Sequence, residues 1–161
     1  MDFTHPFITT SPQETAQLGQ ELGTRLIQTS NFKLQNREED KHATVVCLYG
    51  ELGSGKTTFV QGVSTSLGIT ARLLSPTFFI VRRYLIPKKS LVLYHIDLYR
   101  IESQQEARDT GLSEILHDPN AIVFIEWADK LARLLPKNRI DVRFLALEDG
   151  SHRITIEHAQ S

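Results

Sequence analysis

At 161 residues the chain is long enough for one domain with a real hydrophobic core. Hydrophobic residues make up 40 % and charged residues 23 %, an ordinary balance for a soluble globular protein, and no segment approaches 18 consecutive apolar residues. The formal net charge of −1 gives no global pull toward nucleic acid or membrane, leaving only a local basic patch open. The single cysteine, Cys47, lies in an apolar run and reads as a small core residue. It cannot form an internal disulfide, which fits a reducing compartment. The opening "MDFTHPFITT" lacks the basic-then-apolar pattern of a signal peptide, so a cytoplasmic location is expected.

In chain order, "FITT" (7–10) reads as a short strand. "SPQETAQLGQELGTRLIQ" (11–28) reads as a helix, with Ser11 as N-cap, Pro12 as its first residue and Glu14 as capping-box partner. Leu18, Leu22 and Leu26 follow at helical spacing. "NFKLQNREEDKHA" (31–43) is polar and charged, and reads as a surface loop. "TVVCLY" (44–49) is a buried strand, and "KTTFVQGVSTSLG" (56–68) a helix stopped by Gly68. Residues 77–85 are aromatic and β-branched. They should pair with "LVLYHIDLYR" (91–100) across the turn "KKS". "ESQQEARDTGLSEIL" (102–116) gives one or two short helices broken at Gly111. "AIVFIEW" (121–127) is a fully buried strand ending in a carboxylate. "ADKLARLLP" (128–136) is a short helix stopped by Pro136. "RIDVRFLAL" and "HRITIEHA" alternate around "EDGS" as a terminal hairpin. Neither repeats nor a second domain are visible. The expected architecture is one α/β domain over residues 1–161, with a central mixed, partly parallel sheet around a P-loop.

The chemistry concentrates in "CLYGELGSGKTTFVQG" (47–62), where residues 50–57 spell G-x-x-x-x-G-K-T. Glycines let the backbone curl so that successive N–H groups point at one anion. A helix starting near Gly55 adds its positive end at the same place. Lys56 can reach the outer phosphates, and the Thr57 hydroxyl can ligate Mg2+.

Hydrolysis or transfer also needs a carboxylate near the metal, usually at the end of a neighbouring strand. Two residues qualify: Glu126, ending "AIVFIE", and Asp97, following "LVLYHI". At the carboxyl end of a parallel strand either would face the P-loop rim. His95 alternates with Asp97 and should share its strand face, although a lone histidine there is more often structural. Arg82 and Arg83 are possible phosphate clamps, but exposed strand arginines are common. Trp127 reads as a packing residue at the strand end. Arg153 pairs either with a nucleotide or with Glu157 on its own strand face.

Together, "LYGELGSGKTTFVQG", "LLSPTFFIVRRY", "YHIDLYRI" and "VFIEWADKLARLLP" closely resemble the bacterial TsaE (YjeE) family. "SPQETAQLG" and the final "RITIE" fit its two ends, so the resemblance covers nearly the whole chain. It implies a P-loop NTPase-like three-layer domain and a Mg2+-dependent ATPase. That family serves N6-threonylcarbamoyladenosine formation beside the anticodon of tRNA. It implies a TsaB–TsaD-like partner complex reset by ATP hydrolysis, tRNA reached only indirectly, and no membrane. By the same resemblance Gly53, Ser54, Gly55, Lys56, Thr57 and Thr58 cradle ATP, with Lys56 on the β/γ side. Thr57 and Glu126 hold Mg2+, Asp97 and Lys56 serve catalysis, and Arg153 contacts the nucleotide. The turn from Thr10 and Ser11 to Thr15 lines the base, and "SPTFFIVRRY" (75–84) acts as a switch segment. Two departures stand out: Ser54 where the family often has Ala, and a long segment over residues 31–43. The rival reading is a small-molecule P-loop kinase. Such kinases usually place the P-loop at the first strand and carry an arginine-bearing lid. Here a capped helix precedes the loop and no lid-like insertion is evident. A GTP-binding sensor is disfavoured by the lack of an N-K-x-D sequence.

Overall fold

A computed structural model describes residue 3 and residues 5–35, 42–71 and 80–159, with the backbone alone for residues 30–35. The first half of the expected switch segment, residues 75–79, lies outside the described residues, as do residues 36–41 of the polar segment. The elements are β1 (Phe7–Thr9), α1 (Pro12–Gln35), β2 (Thr44–Tyr49), α2 (Lys56–Ser66), β3 (Val81–Leu85) and β4 (Val92–Asp97). Then come α3 (Gln104–Asp109), α4 (Leu112–Leu116), β5 (Ala121–Glu126), a 3-10 segment (Ala128–Leu134), β6 (Ile140–Ala146) and β7 (His152–His158).

The strands form one seven-stranded sheet in the order β1-β7-β6-β2-β5-β4-β3. Its centre, β6-β2-β5-β4, is parallel, and the pairs β1/β7, β7/β6 and β3/β4 are antiparallel. The mixed, partly parallel sheet is thus as expected, and so are both hairpins. β5 carries six buried residues in a row, because it runs between β2 and β4 with both faces covered. Val46, Leu48, Ile122, Phe124 and Val142 face α1 and α2. Val45, Cys47, Val123 and Ile125 face α3, α4 and the 3-10 segment. Burial pushes the Cys47 thiol up to about 12, with the Asp141 charge adding to the effect, which suits an unreactive core residue.

Two segments differ from expectation. Helix α1 continues to Gln35, through the start of the expected surface loop. No glycine or proline follows Gly23 in that helix, and Lys33, Leu34 and Gln35 are good helix formers, so polarity alone does not end it. The "ADKLARLLP" helix is a 3-10 segment, broken where Ala132 takes φ 44° and ψ −109°.

Helices α1 and α2 cross with almost no space between them. A Cβ added at Gly62 would lie 1.9 Å from the Ala16 carbonyl oxygen, and one at Gly19 would lie 2.1 Å from that of Phe59. This contact ties the amino-terminal turn to the P-loop helix. Replacing Gly62 by Ala would by propensity alone favour α2 by about 1 kcal/mol. The clash with backbone should outweigh this, as overpacking costs about 1–3 kcal/mol or more. Gly62→Ala should therefore lower the melting temperature by several degrees. A melt at or above wild type would show that the helices can separate freely.

Candidate functional site

Parallel strands bring their carboxyl ends to one rim. Tyr49, ending β2, leads into the P-loop, and Glu126, ending β5, pairs in register with Leu48 on one side and Asp97 on the other. Leu93, His95 and Asp97 alternate along β4, so His95 and Asp97 share the face that buries Leu93 toward α1 and α2.

The loop itself is built as its glycines require. Gly55 takes φ 98° as N-cap of α2, and no side chain caps that helix. The first N–H groups of α2 are therefore left for an anion, with no acidic residue in the first turn to compete. Lys56 is buried beneath the loop. Its Nζ donates to the Gly50 carbonyl at 2.6 Å, the Glu51 carbonyl at 2.8 Å and Ser54 Oγ at 3.4 Å. Burial lowers the Lys56 pKa, against the opposing pull of Glu126, Asp97, Glu51 and Asp129.

Thr57 Oγ1 donates to Glu126 Oε1 at 3.2 Å, and His95 Nε2 lies 2.8 Å from the same oxygen. The Thr57 proton is thus directed at the carboxylate, and its oxygen lone pairs remain for a cation. Hydroxyl and carboxylate are hard oxygen donors, which fits Mg2+. Among the described residues, no group of three or more His, Cys, Asp or Glu side chains could hold a metal alone. A cation here would need phosphate oxygens or water to complete its shell, the usual habit of Mg2+. Asp97 is buried, and its Oδ1 accepts from the Tyr99 amide at 2.9 Å.

Trp127 turns the chain sharply after Glu126, at φ 58°, a conformation that bulky residues rarely adopt. Its ring stands 4.7 Å from Lys56 Nζ and 5.2 Å from the Tyr99 ring. Lys130 Nζ fastens this corner by donating to the carbonyls of Tyr99 and Ile101.

Two cavities flank the loop and share Gly53, Gly55 and Thr58. One, of about 260 Å3, is lined by Lys56, Thr57, Asp97, Glu126 and Trp127 among others. The other, of about 250 Å3, is lined by Thr10, Ser11, Thr15, Gly150 and His152 among others. Ser11 is the N-cap of α1, as expected, with its Oγ accepting from the Glu14 amide at 3.2 Å. The reciprocal bond is displaced by one residue: Glu14 Oε2 accepts from the Thr10 amide at 2.6 Å and from Thr10 Oγ1 at 3.0 Å. Those bonds, the amide first, lower the Glu14 pKa and fix the turn beside the cavity.

Lys56, Thr57, Thr58, Gly53, Gly55, Asp97, Glu126, Thr10 and Ser11 therefore all stand around one rim. Ser54 is buried behind the loop, held by Lys56. Arg153 lines neither cavity; it is exposed on β7, beside Ile8 and Leu145. Its neighbour His152 lines the second cavity, because strand side chains alternate and Ile154 and Ile156 share its inward face. His152 was not among the sequence candidates. The alternation separates it from Arg153, but which of the two points inward depends on the sheet.

This fold and rim define a P-loop α/β domain. A family model described as threonylcarbamoyl adenosine biosynthesis protein TsaE matches residues 9–154. The chain belongs to the TsaE family. It is 34 % identical over 149 residues to the tRNA threonylcarbamoyladenosine biosynthesis protein TsaE of Treponema pallidum (strain Nichols), covering 92 % of this chain and 97 % of that one. The Bacillus subtilis (strain 168) protein of the same name is 39 % identical over 115 residues, 71 % of this chain and 70 % of that one. Among solved structures, the crystal structure of Bacillus subtilis YdiB superposes with a TM-score of 0.71 at 27 % identity. That match covers 96 % of this chain and 85 % of the other. No helix among the described residues is long and apolar enough to cross a membrane.

Because Trp127 is the sole tryptophan and the Lys56 ammonium stands over its ring, their contact can be observed directly. Lys56→Met should change the emission of the ligand-free protein and speed amide exchange across residues 51–55. Unchanged emission and exchange would show that Lys56 does not hold the loop.

Proposed function

We propose that the chain is a cytoplasmic, Mg2+-dependent ATPase serving formation of N6-threonylcarbamoyladenosine in tRNA. It works on a TsaB–TsaD-like protein pair, which hydrolysis resets between turnovers, and reaches tRNA only through that pair. Membership of the TsaE family supports the pathway. The observation that carries the ATPase is the convergence of Thr57 and Glu126, 3.2 Å apart, beside buried Lys56 and Asp97.

In this reading the phosphates rest on the N–H groups at the start of α2, and the base side occupies the cavity by Thr10, Ser11 and His152. Lys56 exchanges its bonds to the Gly50 and Glu51 carbonyls for phosphate oxygens. Thr57 and Glu126 hold Mg2+, which neutralises charge on the phosphate oxygens when bound. Asp97, fixed by the Tyr99 amide, orients the attacking water or takes its proton. Its strand runs into the polar segment "RIESQQEARDTG", a route by which partner docking can shift it. Positioning errors on the order of 1 Å suffice to slow catalysis. The free protein should then be a poor ATPase that partners stimulate.

Phosphate release from ATP and GTP, with rising TsaB–TsaD and with small-molecule acceptors, tests this. Release should favour ATP and rise with partner. Lys56→Ala should weaken ATP binding and catalysis. Asp97→Asn should keep ATP and partner binding but lose the stimulated rate and sustained tRNA modification. Full activity of the isolated protein, or sustained modification by Asp97→Asn, would remove the coupling. Phosphate transfer to a small acceptor would establish the kinase alternative.

A further inference from the structure

His95 has no exposed surface, and its Nε2 lies 2.8 Å from Glu126 Oε1. Its other nitrogen, Nδ1, is buried with no hydrogen-bond partner among the described residues. With no acceptor at Nδ1 among the described residues, the ring proton is assigned to Nε2, since an unpaired lone pair is less costly than an unpaired buried N–H. Among the described residues the imidazole therefore makes one polar contact, its donation to Glu126. A residue serving only to fill the core at this point would be better apolar, as Leu93 and Phe124 beside it are.

The donor sits one step behind the rim. His95 pairs across strands with Phe124, and Asp97 pairs with Glu126, so His95 approaches the carboxylate from inside the core. Thr57 reaches the same oxygen from α2. Two donors on Oε1 from different elements fix the carboxylate's rotation and leave Oε2 touched by neither. We infer that His95 is a positioning residue for the cation site, setting the orientation in which Glu126 meets Mg2+. This rests on the Mg2+–nucleotide reading proposed above. Hydrogen-bond partners of metal-binding carboxylates typically matter by about 10–100-fold in metal affinity.

The test is Mg2+ binding by calorimetry on the full chain saturated with AMP-PNP, beside AMP-PNP binding in EDTA and thermal melts. His95→Met keeps length without a donor. His95→Gln keeps an N–H near the position of Nε2. His95→Asn is polar but too short. Met and Asn should need about 10–100-fold more Mg2+, while Gln stays within a few-fold of wild type. Metal-free AMP-PNP affinity should stay unchanged in all three. Should His95→Met fail to fold, the Gln–Asn pair decides by the same criterion. Wild-type Mg2+ affinity in Met or Asn overturns the inference, as does a Gln variant as weak as Asn. A wild-type protein whose AMP-PNP affinity is the same with and without Mg2+ overturns the functional reading itself, and the inference with it.

Discussion

A carboxylate at the end of a wholly buried strand is the constraint around which this domain is arranged. Glu126 is 3 % exposed and follows five buried apolar residues of β5. A polar group in such a place must be met by donors, or its desolvation goes uncompensated. The donors arrive from both neighbouring strands' territories: Thr57 from the helix after β2, and His95 from β4. That requirement fixes the register of three parallel strands at their carboxyl ends. It also sets the rotation of α2 and brings the Lys56 ammonium close enough for Glu126 to counter its desolvation.

The second constraint is mechanical. The turn that lines one cavity and the loop that lines the other lie far apart in sequence, yet they belong to helices in backbone contact. Gly62 meets the Ala16 carbonyl, and Thr15 of the same α1 turn hydrogen-bonds Thr9 at 2.8 Å. β1, α1 and α2 are therefore packed directly against one another beside the shared floor of Gly53, Gly55 and Thr58. A ligand spanning both cavities would meet a preorganised surface, which lowers the ordering cost of binding.

Much of this was legible in the sequence, where one element settles its own form. The glycine spacing of residues 50–57, the all-apolar run of β5 and the terminal hairpin each depend on local pattern, and all appear as expected. Features set by long-range pairing were not legible. Alternation separates His152 from Arg153, but the inward side is chosen by β6 and β1. His95 was expected to share a face with Asp97, and does, but its bond to Glu126 requires the β4–β5 register. The capping acid Glu14 was identifiable, yet its partner is Thr10, the residue between the end of β1 at Thr9 and the cap at Ser11. The left-handed turn at Trp127 follows no propensity; bonds from Leu98 to the Glu126 carbonyl and from Lys130 to Tyr99 and Ile101 frame it.

The ligand-free loop is also satisfied within itself. Lys56 donates to two loop carbonyls and to Ser54, and its ammonium faces an indole ring. An anion entering here would replace bonds that already exist, so its net gain is the difference between charge-assisted and neutral acceptors. That difference is modest for one lysine. The remaining favourable contribution must come from the uncapped N–H groups of α2, which have no side-chain acceptor to give up. The loop backbone, rather than its lysine, would then supply most of the binding, while in the proposed ATPase the lysine's larger effect would fall where phosphate charge grows during reaction.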